Sequence, residues 1–568
     1  MTPFVIDPGP LSSAFTANIQ HLSQLDSGRP EGGSLRFADA LWSKRLDVWT
    51  RDAQVQAKIA NRLGWLDVLD FVTPQLGRLR ALAGSIKTAG FTHVVLLGMG
   101  GSSLAPEVLH QVLGVAEGFP RFRMLDSTDP AAVRDALDAA PTSLFIVASK
   151  SGTTIEPNSM AAEAARRVTA AGHSAWGSRF IAITDENTAL HRHALQEGFR
   201  DVFVNPADIG GRYSALSFFG LVPAAVMGAD VDRLLASARE MEAACRAADP
   251  AANPGFALGA LMAAGAGSAR DKLTLLTPDA LRSFGLWVEQ LVAESTGKHG
   301  KGIVPITGEA ADAPWSDDRV AVTVVLRDDS STAAARMPGN APRAILAMSD
   351  RYAIGAEFFR WEIATATAGL LLDINPFDEP NVQQAKDATK SLLDVFAERG
   401  QLPWPETHAS IGEARLTLSA AAEQRLDRST PTKFLSVADP SAYVGLLAYL
   451  PPDAAPFDTA LRTLRDGIGR KTGRPTMFGY GPRYLHSTGQ LHKGGANNGV
   501  FVVVTVEADE DLAIPDQPFS FGVLELAQGL GDYQSLERTG RRALYVHLPR
   551  RDPALLGEVV DVLLAGAA

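Results

Sequence analysis

Only one cysteine, Cys245, occurs in 568 residues. An intrachain disulfide is therefore excluded. Cys245 falls in a run of helical spacing, Val231 to Ala247, and reads as a small core residue rather than a nucleophile. The N-terminus, MTPFVIDPGP, lacks a basic stretch followed by an apolar run, so no secretory signal is expected. Long hydrophobic runs are missing as well. The most extended weakly polar stretch, Phe256 to Ala269, is short and rich in Gly and Ala, so no membrane span is expected. Positive charge is in deficit: the formal net charge is -11, spread along the chain without an acidic tail. That argues against nucleic acid as a partner, because phosphate backbones are bound by faces rich in Lys and Arg. It leaves room for a local basic pocket. There is no short-period repeat, no low-complexity segment and no Walker-type Gly-x-x-x-x-Gly-Lys-Ser/Thr loop, so a nucleoside triphosphate is not expected. A cytoplasmic protein fits all of these absences.

What is present is ordinary in bulk and informative in pattern. Hydrophobic residues make up 46% and charged residues 21% of a chain too long for one core, so two or three packed domains are expected. Residues 1 to about 85 read as helices, with apolar residues at helical spacing in LRFADALWSKRLDVW and ANRLGWLDVLDFV. From about residue 90, strand-length apolar runs alternate with helical stretches. The strands are expected at 93–97, 122–125, 143–149, 179–184 and 201–205. Such βαβα alternation predicts a mainly parallel sheet covered by helices on both faces. A second α/β segment follows a helix at 231–247 and a turn at Asn253-Pro254. Its strands are expected at 272–276, 320–326, 443–450, 499–506 and 543–548, with long helices near 356–372 and 380–398.

Four short segments carry chemistry. Gly98-Met99-Gly100-Gly101-Ser102-Ser103 follows a strand and opens a helix. Glycines there admit a ligand to the backbone, and the helix-start amides attract an anion. A dinucleotide fingerprint is the rival, with Asp126 ending the next strand, but Ser103 stands where that fingerprint wants Gly. Ser149-Lys150-Ser151-Gly152-Thr153-Thr154 also joins a strand to a helix. Four hydroxyls, one ammonium and free amides within six residues are equipment for a phosphate dianion; an N-cap with spare hydroxyls is the plainer alternative. Gly210-Gly211-Arg212-Tyr213-Ser214 can bring a guanidinium close to an oxyanion, or leave Arg212 on a surface loop. Gln290 and Glu294 share one helix face, and the apolar Leu291, Val292 and Ala293 favour a raised pKa for Glu294. The alternative there is a surface Glu294–Lys298 pair.

In series, GMGGSS, SKSGTT, GGRYS and ESTGK resemble the loops of the phosphoglucose isomerase family, in the same order. Asp373-Ile-Asn-Pro-Phe-Asp-Glu…Lys386 is similar to a family lysine helix, with Glu379 where many members have Gln. His486-Ser-Thr-Gly-Gln-Leu-His492-Lys-Gly is similar to the family's histidine segment with one residue missing. It follows the lysine helix here, although it precedes it in common members. The segments 32–68 and 483–495 also look like the isomerase half of fused transaldolase–phosphoglucose isomerase proteins. No transaldolase barrel is found in this sequence, so Schiff-base chemistry is not expected.

The resemblance implies an α/β fold of two sugar-isomerase-type parallel-sheet sandwich domains with an N-terminal helical extension. The expected divisions are 1–85, 86–230 with the phosphate loop, and 231–568 with a helical insertion at about 380–440. It implies aldose–ketose isomerisation of glucose 6-phosphate and fructose 6-phosphate, with no cofactor and no metal. Glu294 would transfer the proton and Arg212 would stabilise the enediolate, while His486 and Lys386 would assist ring opening. Gly101, Ser102, Ser149, Lys150, Ser151, Thr154, Gly211 and Gln290 would hold the sugar phosphate. A homodimer is implied, with His486 contributed by the second subunit. The rival classes are a non-catalytic sugar-phosphate regulator, which would need neither Glu294 nor Arg212, and an isomerase that also takes mannose 6-phosphate.

Overall fold

The computed structural model describes residues 4–26, 34–327, 329, 337–452 and 454–567. Strand-length apolar runs that return every 20 to 40 residues bury their backbone polar groups in ladders, and three large sheets result. The first has five parallel strands in the spatial order Arg121–Leu125, His93–Gly98, Ser143–Ala148, Phe180–Asp185, Asp201–Asn205. Each begins and ends within a residue of its expected place. Ser143–Ala148 is buried at every position, as a central strand covered by helices on both faces must be.

The strands expected in the second segment are divided between two sheets. The second sheet runs Phe4–Asp7, Arg343–Met348, Arg319–Leu326, Lys272–Leu276, Val304–Thr307. Its first member corrects the all-helical reading of residues 1–85. Phe4–Asp7 is four residues long and pairs antiparallel with Arg343–Met348, so only a partner more than 300 residues away reveals it as a strand. Val304–Thr307 was also missed: Pro305 interrupts its pattern, and an edge position tolerates the missing donor. The third sheet runs Ala409–Ile411, Ala414–Leu418, Arg542–Leu548, Gly499–Val506, Tyr443–Tyr449, Thr476–Tyr480. Its first two strands lie within the expected helical insertion. They form a hairpin about Gly412-Glu413, with Gly412 at a positive φ of 54°, on a sheet otherwise parallel.

The long helices fall where the 3.6-residue spacing puts them, at Ile354–Leu371 and Val382–Arg399. The weakly polar stretch becomes the helix Pro254–Ala266, apolar all round and buried on every side. No helix among the described residues is long and apolar enough to cross a membrane. Cys245 is wholly buried, and burial pushes its thiol up to about 12, so it is inert packing.

Three of the four informative segments sit at carboxyl ends of the first sheet's strands, the usual crevice of open parallel sheets. The fourth lies at the end of the helix Arg282–Thr296. That helix buries Phe284, Trp287, Val288, Leu291 and Val292. At about 1.5–3 kcal/mol each, such side chains outweigh the cost of carrying Glu294 into the interior.

Candidate active site

The GMGGSS and GGRYS loops touch through their backbones. A Cβ on Gly101 would lie 2.1 Å from the carbonyl oxygen of Gly211, so neither loop could approach the other with a side chain there. Gly100 has a φ of 53°, and a Cβ on it would meet the His486 carbonyl at 2.5 Å and the Gln290 amide at 3.0 Å. Four segments far apart in sequence thus converge on two glycines. Ser102 is buried in the same turn, its amide donating to the Met99 carbonyl.

Arg212 and Glu294 form the centre. Arg212 Nη1 donates to Glu294 Oε1 at 3.0 Å, and both residues are buried. The surface-arginine reading of the GGRYS loop is thereby excluded. Arg212 Nε donates to Ser295 Oγ at 2.8 Å, Nη2 to the carbonyls of Pro376 and Asp378 at 2.8 and 3.0 Å, and Nη1 also to Glu379 Oε2 at 3.0 Å. Burial opposes the guanidinium charge, but Glu294 and Glu379 outweigh it and hold Arg212 protonated. Burial raises the Glu294 carboxyl above its ordinary value, Arg212 opposes that, and the like charge of Glu379 adds to it. Lys298 does not pair with Glu294. The helix ends at Thr296, and Lys298 turns to the Asn375 carbonyl and the Asp378 carboxylate, with burial lowering its ammonium to about 8.

Gln290 links this centre to His486. Its Nε2 donates to Glu294 Oε2 at 3.2 Å and to the His486 carbonyl at 2.7 Å. His486 therefore reaches the site within its own chain, which corrects the expectation of a histidine from a second subunit. The cause lies in the preceding turn: Arg483 makes two hydrogen bonds, of 2.6 and 2.8 Å, to the buried carboxylate of Asp126 at the end of the first sheet. The same bonds occupy the acid that a dinucleotide reading would have used for a ribose.

The His486 ring points to a residue the sequence reading did not single out. Its Nε2 lies 3.0 Å from Glu156 Oε1, which also accepts from Gln528 Nε2 at 2.7 Å. Burial works against the Glu156 charge, but His486, a backbone amide and Lys386 outweigh it and hold the carboxyl below its usual range. The available signal was an acid in the first turn of the helix after SKSGTT, where the helix dipole favours negative charge. Gln528, on the helix Phe521–Arg538, left no local signal. The other candidate histidines stand apart from this chemistry. His299 is exposed on a turn at a positive φ of 55°. His492 is buried among Tyr443, Tyr484 and Phe501, and burial lowers its pKa well below the ordinary value.

The SKSGTT loop keeps its hydroxyls near the helix start. Ser149 Oγ and Thr154 Oγ1 are 3.1 Å apart, and the Gly152 amide donates to Ser149 Oγ at 3.1 Å. Ser151 is exposed and lies 3.0 Å from Thr153 Oγ1. Lys150 departs from expectation. Its ammonium donates to Asp185 and to the Ala207 carbonyl at the ends of neighbouring strands, because half-buried Asp185 needs a counter-charge there. A cavity of about 640 Å³ opens beside this loop, lined by Thr153, Thr154, Glu156, Asn158, Lys386 and His486. That volume suits a small phosphorylated ligand. Lys386 is exposed on its rim, facing Glu156 rather than Glu294.

Parallel sheets with a phosphate-type loop, and a buried carboxylate beside a guanidinium, define a protein of the sugar isomerase class. The sequence profile of the phosphoglucose isomerase family matches residues 76–314. A glucose-6-phosphate isomerase of Parasynechococcus marenigrum (strain WH8102) is 30% identical over 447 residues, covering 67% of this chain and 79% of that protein. One of Prochlorococcus marinus (strain NATL2A) is 36% identical over 220 residues, 37% of this chain and 41% of that one. A glucose-6-phosphate isomerase structure from Chlamydia trachomatis shares the fold at a TM-score of 0.50 and 18% identity, over 68% of this chain and 86% of that one. A hypothetical protein from Thermus thermophilus does so at 0.56 and 21%, over 69% and 99%. The chain belongs to the phosphoglucose isomerase family.

Proposed function

We infer that the chain is a glucose-6-phosphate isomerase, interconverting glucose 6-phosphate and fructose 6-phosphate through an enediolate. The observation that carries this reading is the buried Glu294–Arg212 pair, 3.0 Å apart, which a mere sugar-phosphate sensor would not need. Moving a proton between C2 and C1 requires a base over both carbons and positive charge at the oxygen that takes up the electrons. Glu294, with its raised pKa, takes the C2 proton of the open-chain aldose. The C2–H electrons form the C1–C2 double bond, and the carbonyl electrons move onto O1 beside Arg212. The O2 proton passes to O1, the C2–O electrons close the C2 carbonyl, and the C1–C2 double bond takes the carbon proton back from Glu294 at C1, which gives the ketose.

Ring opening falls to His486. His486 Nε2–H donates a hydrogen bond to ionised Glu156, which leaves Nδ1 to exchange a proton with the sugar. Lys386 adds positive charge at the cavity rim. Ser149, Ser151, Thr154 and the amides of the loop hold the phosphate, with Gly101, Ser102, Gly211 and Gln290 shaping the sugar end. Lys150 supports the loop from behind through Asp185. Binding at the remote phosphate positions the reacting carbons. The reading places the enzyme in the cytoplasm as a homodimer, whose mass light scattering tests. The function is tested by supplying fructose 6-phosphate to the purified chain with glucose-6-phosphate dehydrogenase and NADP. NADPH should form at a rate proportional to the chain, and a rate equal to the blank overturns the reading.

A further inference from the structure

A guanidinium has five N–H donors and no more. All five of Arg212 are engaged inside the chain: one to Ser295, two to the carbonyls of Pro376 and Asp378, one to Glu294 and one to Glu379. An oxyanion arriving at Arg212 therefore finds no open donor, and one of these bonds must give way. The partners differ in how readily they can leave. Ser295 lies on the packed helix that carries Glu294, and the two carbonyls are main chain. Glu294 is held from its other oxygen by Gln290. The Glu379 side chain is 37% exposed against 12% for Glu294, and among the described residues its carboxylate has no second hydrogen bond. Like Glu294 it is bonded to Nη1, so its charge opposes an incoming anion at that atom, and of the two carboxylates it is the more exposed.

We propose that Glu379 is a positioning residue that caps Arg212 before substrate binds and swings out to water when the substrate's developing oxyanion takes its place on Nη1. The inference rests on Arg212 stabilising the enediolate. It gives a meaning to the glutamate found where many family members carry glutamine. A carboxylate holds the guanidinium more firmly than a neutral amide until the substrate arrives, and must then be displaced against charge. Besides Arg212, the charged groups facing Glu379 are Glu294 and Lys298, with Asp378 beside Lys298.

The test uses two inhibitors of the full-length enzyme, with the variants Glu379→Gln and Glu379→Ala. 6-Phosphogluconate places a carboxylate where the enediolate oxygens form, whereas inorganic phosphate fills only the phosphate loop. Inhibition by 6-phosphogluconate should tighten about three- to tenfold in both variants, the scale of one partly exposed charged hydrogen bond. Inhibition by inorganic phosphate should stay unchanged. Equal or weaker inhibition by 6-phosphogluconate in Glu379→Gln, with inorganic phosphate still bound, overturns the cap. A parallel change for both inhibitors also overturns it, because that marks a general structural effect. If wild-type enzyme fails to bind 6-phosphogluconate at all, the assignment of Arg212 itself falls. Unaltered melting temperatures establish that both variants fold, and Glu379→Ala keeps the test open if the glutamine variant does not.

Discussion

His486 and Glu156, 330 residues apart in the chain, meet at 3.0 Å between Nε2 and Oε1. The contact joins a turn after the third sheet's edge strand to the first helical turn beyond the phosphate loop. A carboxylate behind an imidazole fixes which nitrogen carries the proton and keeps the other available. Glu156→Gln and His486→Ala should each lower kcat/KM at neutral pH. The double variant should lose little more than His486→Ala alone, because the two act as one unit. Multiplicative losses in the double-mutant cycle would separate Glu156 from the histidine.

Glu294→Gln should lower kcat by about 10²–10⁴-fold, the usual worth of a positioned general base. The amide can still meet Arg212 Nη1, so the fold and phosphate inhibition should persist. Turnover above about a tenth of wild type would remove proton transfer from Glu294.

Activity should fall on acidification with an apparent pKa above the ordinary glutamate value. Glu294 must be ionised to act, and burial raises its carboxyl. A pH profile of kcat/KM checks this. A flat profile down to the ordinary carboxylate range, with the protein still folded, would contradict it.

Ser151→Ala combined with Thr154→Ala should raise KM for fructose 6-phosphate and weaken inhibition by inorganic phosphate, with kcat less affected. The two hydroxyls belong to the loop beside the 640 Å³ cavity. Unaltered inhibition constants would place the phosphate elsewhere.

Glu362 provides a stability prediction. It is fully buried on the helix Ile354–Leu371, neither oxygen has a hydrogen-bond partner among the described residues, and desolvation raises its pKa well above 4.5. A raised folded-state pKa means the folded chain holds this proton more tightly. The resulting stability is present below the unfolded pKa and lost as pH rises toward the folded one, at up to about 1.4 kcal/mol per pH unit. Glu362→Gln removes that dependence. Its melting temperature relative to wild type should therefore climb as the pH rises above the ordinary carboxylate range. A constant difference would show that Glu362 is charged in both states.

The five strands of the first sheet between residues 93 and 205, five of the strands beyond them, and the loops carrying Gly101, Ser149, Arg212 and Glu294 were legible in the sequence. They depend on local spacing: a strand-length apolar run, a glycine turn, a helix start. What the sequence left open depended on contacts between distant segments. Phe4–Asp7 is a strand only because Arg343–Met348 offers an edge. Lys150 reads as a phosphate ligand until Asp185 appears beside it, and Lys298 reads as a surface residue until the Asp378 loop folds over it. Glu156 and Gln528 carry no motif of their own and become a site only when His486 is brought between them. Residue type and spacing determined which groups could hold a phosphate or move a proton. Their pairing, their burial and hence their charge were decided by tertiary packing, because desolvation and hydrogen-bond partners exist only once the chain has closed on itself.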